Sequence, residues 1–347
     1  MEFLSSLGLF AAKGILIVVA VGLVVGMISR AFRRGSHARG AVKLTNLNDA
    51  WRQTALSMNG ELLPSREAKL AFKAARAKAK ADDKREDKRP RVFVVAYEGN
   101  TRAAQTSALR EELTAIFDVS RPGDEVLVRL HSPGGFVHAY GFAASQLERV
   151  KARGLRLTVV VDQTAASGGY MMAVVADEII AAPFAIIGSI GVVAALPNFH
   201  RFLRKHDVDF EQHTAGKYKR TLTVFGENSE AGRQHFKEEL EVTHALFKSF
   251  VSRHRPKLDL EQVATGQHWY GSQAVELGLI DRLQTSDDYL LERRSTAELW
   301  SVEYVARRRP LDRAVSILAG SVVKGTEAGV AGGISQAAEA LQIPVHR

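Results

Sequence analysis

The run Leu155-Arg-Leu-Thr-Val-Val-Val161, followed closely by Ala166-Ser167-Gly168-Gly169-Tyr170, decides how this chain is read. An apolar, β-branched stretch of that length predicts a buried strand. Gly168 and Gly169 then open a second apolar segment, Tyr170 to Ala176, that predicts a short helix. A serine at such a strand-to-helix turn stands beside backbone N–H groups that have no partner inside the helix, the arrangement a serine nucleophile and its oxyanion hole require. Upstream, Val126 to Leu130 predicts another buried strand, and it too ends in a glycine turn, His131-Ser132-Pro133-Gly134-Gly135. Two such turns at the ends of neighbouring strands converge on one site. Taken singly, each has a plainer reading: Ser-Gly-Gly as a helix start with serine as N-cap, Ser-Pro-Gly-Gly as an ordinary turn.

Outward from this pair the pattern alternates. Strands are expected near 92–97, 126–130, 155–161 and 178–181, with helices near 103–117, 136–152 and 168–176. That order predicts an α/β fold with a parallel sheet. The apolar run Ile179 to Leu196 is broken by Pro183, Gly188 and Gly191, so it reads as buried strands and turns. Helix is expected over 197–206, strand over 208–213, and a long amphipathic helix over 228–255 that buries Phe236, Leu240, Leu246, Phe247 and Phe250.

The chain has 347 residues, a net charge of +9 and no cysteine, which excludes disulfides, thiolate nucleophiles and cysteine-bound metals. Phe3 to Ser29 is apolar apart from serines and Lys13, and Gly14 to Ile28 is uninterrupted. At about 1.5 Å per residue this segment spans a hydrocarbon core of ~30 Å. Glu2 stands where a signal peptide carries basic residues, and no small-x-small site follows, so the reading is an uncleaved single-pass anchor in the plasma (inner) membrane. Arg30, Arg33, Arg34, Arg39 and Lys43 follow it and place the next domain in the cytoplasm by the positive-inside rule. Helical spacing continues through 44–58 and 65–80. Arg66 to Arg91 holds 11 basic and 5 acidic residues, and Ala81 to Arg89 is almost wholly charged. Without interleaved aromatics this tract reads as a solvated helix and linker, and no nucleic-acid partner is expected. The domains are therefore an anchor at 1–30, a basic helical segment and linker at 31–90, a catalytic domain at 91–290, and an extension of unassigned role at 291–347.

A serine needs a base. None of the 11 histidines lies in a motif tied to Ser167, although His131 adjoins the first glycine turn. Gly-x-Ser-x-Gly, His-Glu-x-x-His and Walker A patterns are absent, and neither metal nor cofactor is expected. A lysine can serve when burial or neighbouring positive charge keeps it neutral. Thr214 to Leu222 supplies Lys217 and Lys219.

The order Ser-Pro-Gly-Gly, Ala-Ser-Gly-Gly-Tyr, Ile187-Gly-Ser-Ile-Gly-Val192, Gly216-x-Tyr218-Lys219, His268-Trp-Tyr-Gly271 and Gly278-Leu-Ile-Asp281 resembles the signal peptide peptidase A (S49) group of membrane-bound serine peptidases. With one peptidase domain and one anchor, the chain resembles its SohB-like branch. The resemblance runs from about Val92 to Leu283. It implies a ClpP/crotonase-like twisted sheet with flanking helices, Ser167 as nucleophile, Lys219 as general base, and Gly134 and Gly168 as the oxyanion hole. It further implies homo-oligomers, peptide or protein substrates, and in many members a domain on the outer face of the membrane, against the charge rule. Two positions depart from the group: His131 stands where asparagine is frequent, and Thr221-Leu-Thr-Val224 replaces a Ser-Pro-x-Arg that often follows the lysine. A non-proteolytic membrane scaffold and a crotonase-like acyl-thioester enzyme are the competing readings; neither needs a serine–lysine pair.

Overall fold

The computed structural model of the chain describes residues 40–82, 89–216 and 218–306. The expected anchor, Lys217 and most of the C-terminal extension lie outside them, and among the described residues no helix is long and apolar enough to cross a membrane. Residues Val42–Tyr304 form one compact unit. Its strands are β1 (Ala41–Asn46), β2 (Arg91–Glu98), β3 (Glu125–His131), β4 (Arg156–Val161), β5 (Thr164–Ala166), β6 (Glu178–Ala181), β7 (Ile186–Gly188), β8 (His268–Tyr270), β9 (Arg282–Leu283) and β10 (Glu298–Val305). Its helices are α1 (Leu47–Leu62), α2 (Ser65–Asp82), α3 (Thr106–Val119), α4 (Val137–Ala152), α5 (Gly168–Ala173), α6 (His200–Lys205), α7 (Glu230–His254), α8 (Leu260–Val263), α9 (Gly271–Glu276) and α10 (Ser286–Arg293).

Seven strands form one sheet in the order β1-β10-β2-β3-β4-β6-β9, parallel from β10 to β9. The β-branched runs take its centre: Val94 pairs with Leu127, and Leu127 with Thr158. Val92, Val95, Val126 and Val159 are wholly buried because both faces are covered. One face packs against α3, α4 and α5 through Leu109, Leu113, Leu147, Tyr170 and Met172. The other packs against Tyr289 and Leu290 of α10, with Leu47 and Trp51 of α1 alongside. A charge is buried there too. Glu125 accepts hydrogen bonds from Thr158 (2.7 Å) and Tyr289 (2.6 Å) and pairs with Arg293 at 2.8 Å.

The remaining strands, β5, β7 and β8, form a small second sheet, parallel between β5 and β7 and antiparallel between β7 and β8. It continues from the large sheet through Ser132, whose N–H donates to Thr164 O at 2.7 Å and whose carbonyl accepts from Ala166 N at 3.0 Å.

Several local expectations fail. Residues 208–213 are exposed and irregular rather than a strand; their alternation reflects an excursion from the core, between α6 and α7. Leu246 is 67% exposed, whereas Phe247 and Val251 form the buried side of α7. The run to Leu196 is buried only as far as Ile190, and Val193 is 91% exposed. Leu44 lies in β1, so α1 starts at Leu47 behind the Asn46 cap, whose side chain accepts from Asp49 N at 3.0 Å.

Candidate active site

Ser167 sits between β5 and α5 with φ 53° and ψ −118°, a conformation that L-residues other than glycine rarely adopt. It is held there from both sides. Its N–H donates to Gly188 O at 2.7 Å, and its carbonyl accepts from Met171 N at 2.9 Å. The half-buried side chain makes no capping hydrogen bond to α5, so the N-cap explanation for this serine does not apply. The hydroxyl is left for other work.

Gly134 meets this turn directly. At φ +90°, a Cβ built on it would lie 2.7 Å from Gly168 N and 2.8 Å from both Ala166 O and Ser167 Cβ. Only a residue without a side chain allows that approach. Gly168, as the first residue of α5, has no intrahelical acceptor for its N–H. The structure thus brings together three of the four expected site residues: Ser167, Gly134 and Gly168. The Gly134 N–H itself donates to Ser132 Oγ at 3.1 Å. Ser132 is wholly buried and lies 2.6 Å from Tyr140 Oη, which donates to Asn100 O at 2.8 Å. With that tyrosine proton committed, Ser132 donates to Tyr140 and accepts from Gly134. Burial pushes the Tyr140 phenol up in pKa, with the Ser132 bond acting against it.

The open space in front of Ser167 is a cavity of about 710 Å³ lined by Gly134, Gly135, Ser189, Lys237, Glu241 and His244 among others. Ser189 repeats the positive φ, at 52°, at the end of the neighbouring β7. Lys237, Glu241 and His244 come from α7, at the spacing of one helix face. Ser189 lies in the Ile187-Gly-Ser-Ile-Gly-Val192 motif without a role assigned from sequence, and the sequence singles out none of the three α7 residues; the positive φ of Ser189 and the α7 face appear only in three dimensions.

Lys219 is placed elsewhere. It is exposed and lines a separate cavity of about 630 Å³ with Leu196, His213, Arg220 and Phe225. The preceding Tyr218 stacks on His235 of α7, ring centroids 3.9 Å apart. Within one chain the expected base and nucleophile therefore face different cavities. His131 is partly buried, and its Nδ1 has no hydrogen-bond partner. Among the described residues no group of histidine and acidic side chains has the makings of a metal site.

A later motif, Gly278-Leu-Ile-Asp281, supports the turn. Tyr170 is wholly buried and donates to Leu279 O at 2.9 Å, tying α5 to Gly278-Leu-Ile-Asp281. Asp281 accepts from Ile179 N at 2.7 Å and pairs with Arg255 through bonds of 2.6 and 2.7 Å. Burial raises the Asp281 pKa, but the guanidinium and the amide outweigh it and hold the carboxyl below the usual range.

Comparison with known proteins identifies the family. The chain matches the peptidase family S49 model over residues 149–299 and the S49 N-terminal model over residues 2–147. It is 46% identical over 315 residues to the Probable protease SohB of Haemophilus influenzae, covering 87% of this chain and 89% of the relative. A Probable protease SohB of Buchnera aphidicola is 42% identical over 305 residues, 84% of this chain and all of the relative. Among solved structures, the 1510-N membrane-bound stomatin-specific protease with a substrate peptide aligns with a TM-score of 0.40 and 13% identity over 67% of this chain and 98% of its own. A match of this extent to the SohB proteases places the chain in peptidase family S49.

Proposed function

We propose that the chain is a membrane-anchored serine endopeptidase in which Ser167 is the nucleophile and Lys219 the general base. The observation that carries this reading is Ser167 at φ 53° beside Gly134 and the amide of Gly168. Strain of this kind persists where surrounding structure enforces it, and it aims the hydroxyl into the cavity. A neutral amine takes the Ser167 proton as the oxygen attacks a peptide carbonyl. The tetrahedral oxyanion forms against the Gly168 N–H, with the Gly134 N–H shared between it and Ser132 Oγ. Collapse expels the amine half of the substrate, which takes up the proton, and leaves an acyl-enzyme. Water, deprotonated by the same lysine, then releases the acid half.

Because Lys219 and Ser167 face different cavities in one chain, the dyad is completed between copies in a homo-oligomer. The exposed Leu196, Phe199, Phe202 and Phe210, which like Lys219 lie between β7 and α7, supply apolar surface for that contact. The N-terminal apolar segment holds the assembly on the membrane, and peptides or membrane-associated polypeptides are its substrates. The retained serine, lysine and glycine turns favour this over a scaffold or an acyl-thioester enzyme.

A fluorophosphonate probe tests the nucleophile: it labels wild type and fails on Ser167→Ala. Labelling that survives the substitution refutes the assignment. Mixing inactive Ser167→Ala with inactive Lys219→Ala restores activity when the dyad is shared. No recovery in verified mixed oligomers places both residues in one subunit.

A further inference from the structure

The helical hairpin of α1 and α2 carries a surface that peptide cleavage does not use. On α2, Arg66, Lys69, Lys73 and Arg76 recur at i, i+3, i+7 and i+10, one stripe along the helix. All four are exposed, and among the described residues of the hairpin the ion pair joins Arg52 to Asp49 instead. Leu70, one turn from both Arg66 and Lys73, is 61% exposed. Phe72 (47%), and Met58 (58%) and Leu62 (74%) at the end of α1, are exposed as well. The described part of α2 buries only Ala68, and α1 buries nothing. Along α2 the cations therefore stand beside an exposed leucine, Leu70, while further large apolar side chains are exposed at the end of α1.

We propose that α2 lies along an anionic lipid surface, its basic stripe against headgroup phosphates and Leu70 and Leu62 in the interfacial layer. Charge complementarity selects the cationic stripe's partner as a polyanion, and the interspersed aliphatic side chains select a bilayer, which alone offers phosphates above an apolar layer. Nucleic acid gives Leu62, Leu70 and Met58 nothing to enter. A second copy would set the stripe against like charge. Position agrees: 12 residues, Ser29 to Gly40, separate Ile28, the end of the apolar segment, from Ala41, a reach of at most about 45 Å when extended. The proposal rests in that respect on the anchor, and it adds a second, salt-sensitive contact.

The chain has no cysteine, so Leu70→Cys accepts a single environment-sensitive fluorophore. The labelled full-length protein is placed in nanodiscs of phosphatidylcholine alone or with phosphatidylglycerol. The expected result is blue-shifted emission and quenching by doxyl lipid in the phosphatidylglycerol discs only. Raising salt from about 0.1 M to about 1 M shortens the screening length from about 10 Å to about 3 Å and reverses the shift. Replacing Arg66, Lys69, Lys73 and Arg76 together with glutamine abolishes it, with helicity by circular dichroism and cleavage of a soluble peptide unchanged. Equal emission in both discs overturns the proposal. So does a shift produced by duplex DNA in phosphatidylcholine discs, or one that tracks the number of chains per disc. A chain that fails to enter discs overturns the anchor; added to preformed phosphatidylglycerol vesicles, the same labelled chain still decides the stripe.

Discussion

Replacing Gly134 with alanine tests the juxtaposition on which the proposed chemistry stands. Two effects combine. The residue has φ +90°, and alanine there costs about 1–2 kcal/mol. Its methyl would also stand 2.7 Å from Gly168 N and 2.8 Å from Ser167 Cβ, against 3.4 Å for ordinary contact, so the turn must retreat by about 0.7 Å. Overpacking of that kind costs a further ~1–3 kcal/mol, and each kcal/mol lowers Tm by about 2–4 °C in a domain of this size. The larger consequence is catalytic. Displacing an oxyanion donor lowers kcat by about 10²–10³-fold, with KM nearly unchanged. Gly123→Ala is the control, since Gly123 shares φ +90° but has nothing within 4 Å of the added methyl. It should lose the strain term alone and keep full activity. The assays are calorimetry, steady-state cleavage of a chromogenic peptide, and the rate of fluorophosphonate labelling. If Gly134→Ala loses stability yet stays within about threefold of Gly123→Ala in kcat, Gly134 does not serve the oxyanion site.

Ser167→Gly should be inactive and more stable than wild type by about 1 kcal/mol, because glycine relieves the positive φ. Ser167→Ala should be inactive with Tm little changed, as no capping bond is lost; a destabilised glycine variant would show that the turn is unstrained. Lys219→Arg should be as inactive as Lys219→Ala, since a guanidinium stays protonated, whereas Lys217→Ala should turn over normally; the reverse outcome shifts the base by two residues. Asp281 has a folded pKa below its unfolded value of about 3.9, so its stabilisation is present above that pH and is lost as pH falls through the lower folded value. Acid titration of Asp281→Asn should therefore show lower stability at neutral pH and a flatter decline below about pH 4; an unchanged acid limb refutes the linkage.

The central strands were legible because β-branched runs bounded by glycine turns have few alternatives. Val126 to Leu130 and Leu155 to Val161 fall within or beside β3 and β4. The meeting of Gly134 with Ser167 was legible for the same reason, since both turns leave adjoining strands in one direction. Three-residue strands such as β5, β7 and β8 carry too little pattern to be read, and the pairing of β7 with β8, Ile187 opposite Trp269, is a tertiary fact. Residues 208–213 misled because alternation signals a half-buried strand only where a sheet is present to receive it. Leu246 misled because α7 buries a narrower stripe than its apolar content suggests. The separation of Lys219 from Ser167 has no counterpart in local pattern, because motif order says nothing about which cavity a loop approaches.

The position of β10 bears on how the chain is made. It is the last described strand, yet it lies between β1 and β2 and pairs with β2 through Leu299, opposite Val92, and Val302, opposite Val95. Until Val305 leaves the ribosome, one side of β2 is an unsatisfied, apolar template for any strand nearby. The 207 residues from Glu98 to Val305 take roughly 10–40 s to synthesise at bacterial and eukaryotic rates. Throughout that interval nascent chains on one message are vulnerable to pairing with each other, and truncation before Glu298 should yield aggregates rather than a smaller active enzyme.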